Sequence, residues 1–242
     1  MRRTDLFLAV IMAGLVVING CSKTEGTKAD GTRVPTSSAQ PAERPAAVGT
    51  GGAGADIKND REFVHDVAVK NMVATELSRL ALEKAAGSDI KFFAQQIIDD
   101  HTAAGNALRS IASGDTIDWP AQLDEKQSKP LEDLRKKQGT DFDREYAKAI
   151  VEGHQNLAAI LESRLDVQSL AEWKTAAAGR AQSKALPDPK AEMADVKVSP
   201  LKSANEVTMK INQWAADTYP VVQKHLDSAR TLETAAKKRS TN

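Results

Sequence analysis

Asp89-Ile90-Lys91-Phe92-Phe93-Ala94-Gln95-Gln96-Ile97-Ile98-Asp99-Asp100-His101-Thr102-Ala103-Ala104-Gly105-Asn106-Ala107-Leu108 is the stretch that decides the fold. Around His101 the residues three, four and seven positions away are Ala94, Ile97, Ile98, Ala104, Gly105 and Leu108. That spacing puts a mostly apolar stripe on one face of a helix, with His101 at its centre. Asp99 and Asp100 read as the solvated side of the same helix.

The same period returns on both sides. It predicts helices over 60–86, 89–113, 141–165 and 204–237, with shorter ones near 130–137 and 170–184. No stretch alternates as a strand would over a useful length. Aromatic residues are only 4% of the chain, which also favours helix over sheet. Pro220 falls inside the last helix and removes a backbone donor, so a kink or break near Tyr219 is expected. Leu186-Pro187-Asp188-Pro189 must be a loop.

Helix starts carry capping chemistry. Asn59 with Glu62, Ser169 with Glu172, and Ser203 with Glu206 have the N-cap-x-x-acid layout. Thr140 with Asp143 is a weaker version, and Ser88 stands ready to cap the helix after Gly87. The tight turn Ala86-Gly87-Ser88 makes the first two long helices antiparallel neighbours. The long segment holding Trp119-Pro120 leaves room to cross the bundle, so that the second and third long helices run parallel. The expected architecture is all-α: a ferritin-like four-helix bundle over residues 59–239, with a long crossover connection and extra short helices.

Ahead of it, Arg2 and Arg3 precede an apolar run from Leu6 to Ile18, about thirteen residues where a spanning helix takes roughly twenty. Residues 1–20 therefore read as a secretory signal peptide. Ile18-Asn19-Gly20-Cys21 resembles the lipobox of bacterial lipoproteins, in which Cys21 is lipidated and becomes the mature N-terminus. Residues 21–58 hold Gly, Pro, Ser and isolated charges and almost no large apolar side chains, which reads as a flexible tether. As a coil it spans about 35 Å. Ser22 is not the Asp that often retains lipoproteins at the inner membrane, so a periplasm-facing outer-membrane anchor is expected. Cys21 is the single cysteine, so a disulfide within the chain is excluded.

Charge excludes one class of partner. Thirty-three basic residues balance 33 acidic ones, with no basic face of the kind that nucleic acid requires. Lys237-Lys238-Arg239, the one dense basic run, closes a helix, where it complements the dipole. No phosphate-binding glycine loop and no nucleophile elbow is present.

Three of the four histidines sit on apolar stripes. His154 has Ala147, Ile150, Val151, Leu157, Ala158 and Leu161 around it. His225 has Thr218, Val221, Val222, Ser228, Ala229 and Leu232. His65 lies beside Lys58, Arg61 and Glu62 and should meet water. A buried polar group left unpaired costs roughly 1–3 kcal/mol, so three inward rings should find one another or share a partner. Glu76 is a candidate companion. Counted from Gly87, it and His101 lie about 16 and 21 Å along their helices, within one turn. Two readings lead, with a catalytic histidine as a minor third. One is a hydrogen-bonded polar layer that fixes helix register. The other is a divalent metal site, zinc or iron, held by Glu76, His101, His154 and His225.

These residues resemble a family. Phe63 to Leu82, Phe92-Phe93-Ala94-Gln95 leading to Asp99-Asp100-His101-Thr102, Phe142-Asp143-Arg144-Glu145-Tyr146 with His154, and Pro220 to His225 are similar to the DUF4142 domain. The resemblance covers about 60–165 and 204–233. It implies an exported ferritin-like bundle, often an outer-membrane protein, and no established activity. The segment 166–202 is longer than the family pattern. Di-iron bundles carry a Glu three residues before each ligand His. Here those positions are Ile98 and Val151, which disfavours di-iron redox chemistry. The expected function is a cell-envelope lipoprotein that binds rather than catalyses, touching the membrane through its anchor and an envelope protein as partner. The alternative is the metal-binding protein.

Overall fold

The structure, a computed structural model, describes residues 53–114, 119–182 and 196–240. The expected signal peptide, Cys21, the tether up to residue 52 and the loop at 186–189 lie outside the described residues. Six α-helices and a short 3-10 turn account for most of the rest: α1 Ala53–Lys84, α2 Ser88–Ile111, α3 Glu125–Arg135, α4 Gly139–Glu162, α5 Val167–Gln182 and α6 Glu206–Ser240. Among the described residues there is no strand, only an isolated bridge between Leu165 and Pro200. No described helix is long and apolar enough to cross a membrane. The fold is all-α, as the periodicity requires.

Four long helices surround the core, each packing on two neighbours in the order α1, α2, α6, α4. Their directions follow from contacts at one end. The Asp143 carboxylate, near the start of α4, accepts from Ala86 N at 3.0 Å and Gly87 N at 2.9 Å in the α1–α2 turn. Arg239, at the end of α6, pairs with Asp89 at 3.0 Å. So α2 and α4 start at this end, α1 and α6 finish there, and α2 runs parallel to α4 across the bundle. The connection between them carries α3, which packs over α1 and α4.

Several local expectations give way to tertiary partners. α1 begins at Ala53, so residues 53–58 are helical and Asn59 is inside the helix rather than its cap. Its neighbour Asp60 turns inward to Arg164. Asp143 does not serve Thr140 but caps the start of α2 in trans, where Gly87 offers no side chain. Asp166 accepts from Ser169 N at the start of α5. Asn205 accepts from Val207 and Thr208 N at the start of α6, with Ser203 one step back on Asn205 N. α3 carries a full capping box, Asp124 with Gln127, which the sequence reading missed. α6 does not break at Pro220: it runs on to Ser240 with Tyr219 fully buried. Packing of a long apolar stripe on α4 offsets the one lost donor.

The long segment after α4 is a closed excursion. Asp166 N donates to Ser199 O at 2.9 Å and Leu201 N to Arg164 O at 2.8 Å, which ties the two ends together beside the Leu165–Pro200 bridge. α6 therefore starts where α4 stops, and the pair stays antiparallel whatever the excursion's length.

The core falls into two apolar clusters. One gathers Phe63, Val64, Leu108, Leu157, Leu161, Trp173, Trp214, Tyr219 and Val222. The other gathers Leu77, Ile90, Phe93, Ile97, Phe142, Tyr146, Ile150 and Ala229. On α2, α4 and α6 the residue between the clusters is a histidine: His101 between Ile97 and Leu108, His154 between Ile150 and Leu157, His225 between Val222 and Ala229. Of the tryptophans, Trp173 packs edge-on to Tyr219, Trp214 donates to Ala104 O, and Trp119 lies under Arg109.

Candidate metal centre

The three helix-borne rings meet at the bundle axis. His101, His154 and His225 are all buried, at 5%, 1% and 2% exposure. Their ring centroids lie 5.1 Å (His101–His154), 5.7 Å (His101–His225) and 5.5 Å (His154–His225) apart. One ligand nitrogen from each falls within 4.8 Å of the others. They come together because α2 and α4 start level at the turn and place residues 101 and 154 at the same height, while α6 runs the other way between them. His65 stands apart, exposed on α1.

Each ring has one nitrogen already engaged. Asn71 on α1 is oriented by its Nδ2, which donates to the His101 carbonyl at 3.1 Å; its Oδ1 then accepts from His101 Nδ1 at 2.8 Å. His154 Nδ1 donates to Ile150 O at 3.0 Å. His225 Nε2 donates to Asp100 Oδ2 at 2.9 Å. In a neutral imidazole one nitrogen carries hydrogen and the other a lone pair. These partners therefore fix the tautomers and leave lone pairs on His101 Nε2, His154 Nε2 and His225 Nδ1. The first two face each other at 3.2 Å. The third is buried with no partner. Reversing a tautomer does not help, because an acceptor then faces Asn71 Oδ1 or Ile150 O instead.

Electrostatics keeps the rings neutral. Desolvation, then the neighbouring His154 and His225, hold His101 well below the usual imidazole range. Desolvation and His225 press His154 down to about 3, against a smaller upward pull from Ile150 O. Desolvation lowers His225 as well, opposed by Asp100. Neutral rings whose outer N–H groups are tied to a carboxylate, an amide and a carbonyl are the arrangement in which metal-ligating histidines are held.

Two sequence readings need correction. Glu76 is not at the centre: it pairs with Arg79 on its own helix, at the surface. Both its face and its height miss the ring: the α1 residue that reaches His101 is Asn71, five positions earlier, about 7.5 Å along the helix and about 140° round it. Asp100 is not merely a solvated acid, for its carboxylate holds His225. The adjacent pair Asp100-His101 was the available signal, but it presents two helix faces, and only the position of α6 shows which one receives the carboxylate.

The F-D-x-x-Y residues serve the scaffold. Phe142 and Tyr146 are fully buried, Asp143 caps α2, and Tyr146 shares a 2.9 Å hydrogen bond with Ser78. Burial holds the Tyr146 hydroxyl far above its usual range. No curated protein and no solved structure matches the chain. A family profile matches residues 45–184, which takes in Asn71, Asp100, His101, the F-D-x-x-Y residues and His154 and stops before His225. Since that match spans more than half of the 242 residues, the chain belongs to the DUF4142 family, a domain of unknown function.

Proposed function

We propose that this protein binds a divalent metal ion, zinc or ferrous iron, through His101, His154 and His225, and does so at the cell envelope. The observation that carries the reading is a cluster of three buried rings whose ligand nitrogens lie within 4.8 Å of one another, with His101 Nε2 facing His154 Nε2 at 3.2 Å and His225 Nδ1 buried with no partner. A proton would relieve one pair and leave a charge in a desolvated site; a metal ion satisfies all three. Tetrahedral zinc with bonds of about 2.0–2.1 Å sets ligand nitrogens roughly 3.3 Å apart. The 3.2 Å separation of His101 and His154 fits that, and His225 has to close from within 4.8 Å. Three imidazoles suit zinc or iron and leave a fourth position open.

Binding, rather than turnover, is the role we favour. The Asp100 carboxylate is engaged with His225, and no Glu stands three residues before His101 or His154 as di-iron chemistry needs. The envelope setting rests on Arg2, Arg3, the apolar run 6–18 and Cys21. Lipidation there would hold the bundle on the periplasmic side of the outer membrane, within reach of envelope protein partners. The α1–α2 hairpin, the crossover through α3 and the antiparallel α4–α6 pair support a ferritin-like ancestry.

Metal content decides the matter. Protein purified without an affinity tag should carry about one metal ion per chain after zinc or anaerobic iron loading, and lose it on His101→Ala with His154→Ala. With metal at a hundred times Kd, Tm should rise by roughly 5–10 °C, and a chelator should reverse it. A chain that takes up neither metal leaves the histidines as a register-fixing polar layer. Fatty-acid labelling abolished by Cys21→Ser tests the anchor.

A further inference from the structure

A cleft of about 450 Å³ opens between α1, α3 and α4, and the buried His154 and Ile150 are among the residues that line it. Its size is that of a small-molecule site. Val69, Val73 and Leu77 of α1 and Pro130 of α3 form apolar walls, and charged residues such as Lys70 and Glu152 stand at its lining. On other sides the histidines are sealed above and below by the two apolar clusters.

Gly153 is the feature without a packing explanation. It lies inside α4, next to His154, where glycine is the least favourable residue apart from proline. A Cβ there would meet nothing within 4 Å, so no close approach demands glycine. What its bareness does is leave room, because Gly153 lines the cleft. Gly105, by contrast, is required by a neighbour: a Cβ there would stand 3.0 Å from Asn71 Nδ2.

We propose that this cleft is the access side of the histidine centre: the route by which the metal ion reaches and leaves the three nitrogens, and the place of the exchangeable fourth ligand, a small uncharged or anionic donor molecule. The proposal rests on the metal reading above. His154 belongs both to the cleft lining and to the histidine cluster, so the route runs past its ring, and α3 with its cap adds Asp124, Lys126, Gln127 and Pro130 to the lining. The rival route runs past Asp100, whose side chain is 46% exposed beside His225.

Filling the cleft distinguishes them. The full-length chain in detergent is loaded with cobalt(II), and removal by excess chelator is followed by the cobalt absorbance. Gly153→Trp should slow both uptake and removal about tenfold or more, with Gly153→Ala close to wild type. A second variant guards against misfolding: Gly153→Cys, folded, loaded with cobalt and only then alkylated with a bulky maleimide, should show the same slowing, with wild type treated identically as the control for Cys21. Unchanged rates in a metal-loaded, labelled protein overturn the access route and leave the metal site standing. A wild-type chain that takes up no cobalt, zinc or iron overturns both.

Discussion

Asn71 holds His101 twice, accepting from the ring Nδ1 at 2.8 Å and donating to the backbone carbonyl of the same residue at 3.1 Å. One amide thus reads both the helix and the ring it carries, and fixes the ring's tautomer and rotation together. Its room is set by Gly105, one turn further along α2. Specificity at the centre therefore begins on α1, a helix that contributes no histidine to it.

Gly105→Ala tests this directly. The new methyl presses on Asn71 Nδ2 at 3.0 Å while raising helix propensity by about 1 kcal/mol. Global stability should shift by less than about 1 kcal/mol, yet metal affinity should fall several-fold as the ring tilts. In an Asn71→Ala background the substitution should no longer alter affinity, since the coupling runs through Asn71. Additive losses in that cycle, measured by competition with a metallochromic chelator, would sink the argument.

Asp100 acts on the other outer nitrogen. Asp100→Ala removes the acceptor of His225 Nε2–H, freeing the ring to rotate and weakening its basicity. Loss of such a partner typically lowers metal affinity by about 10–100-fold. Asp100→Asn keeps an acceptor oxygen without its charge and should fall between. If Asp100→Ala and wild type titrate alike with zinc, His225 is not a ligand.

Acid should loosen the metal-free bundle. In the unfolded chain each ring titrates near 6.5. In the fold, burial and mutual repulsion lower His101 and His154, the latter to about 3, and burial lowers His225 against the pull of Asp100. Between those values the unfolded chain binds more protons, so stability falls as pH drops below about 6.5 and continues to fall toward 3. Each ring that stays neutral contributes on the order of 1 kcal/mol per pH unit. Urea midpoints of chelator-treated protein at pH 7 and pH 5 should show the loss, and His154→Leu should flatten it. An identical slope in that variant assigns the acid sensitivity elsewhere.

Much of this centre was legible in the sequence because helical periodicity is local. The stripes around His101, His154 and His225 say that the rings point inward. What the sequence could not supply was azimuth. Rotation of α1 about its axis is fixed by the packing of Phe63, Val64, Val67 and Leu77, and it turns Asn71, a little over one turn from Glu76, toward His101. Partners far apart in the chain were equally hidden. Asp143 looks like a local cap for Thr140 and is instead a cap for another helix, and the neck at Leu165 and Pro200 joins residues separated by all of α5. The F-D-x-x-Y residues of the family motif serve the scaffold: Asp143 holds the α1–α2 turn, and Phe142 and Tyr146 pack in the core.

The end of the bundle remote from the α1–α2 turn depends on an ion pair that no local pattern announces. Arg164, 8% exposed, donates to Asp60 Oδ1 at 2.5 Å and to Asn59 O at 2.7 Å, and lies over the Phe63 ring. Thr208 Oγ1 donates to the second Asp60 oxygen at 2.6 Å, so α1, α6 and the turn after α4 are pinned at one point. Charges this deep are expensive to separate: removing one partner leaves the other unpaired, and the loss is typically about 3–5 kcal/mol. Arg164→Met should destabilise by that amount in urea unfolding. Asp60→Asn in the same chain should return part of it, because a neutral amide is cheaper to bury than a lone carboxylate. Since the pair lies beyond the Phe63–Trp214 layer from the histidines, metal affinity of the folded fraction should stay within about threefold of wild type. If Arg164→Met unfolds at the wild-type urea concentration, the clamp does not stabilise the fold.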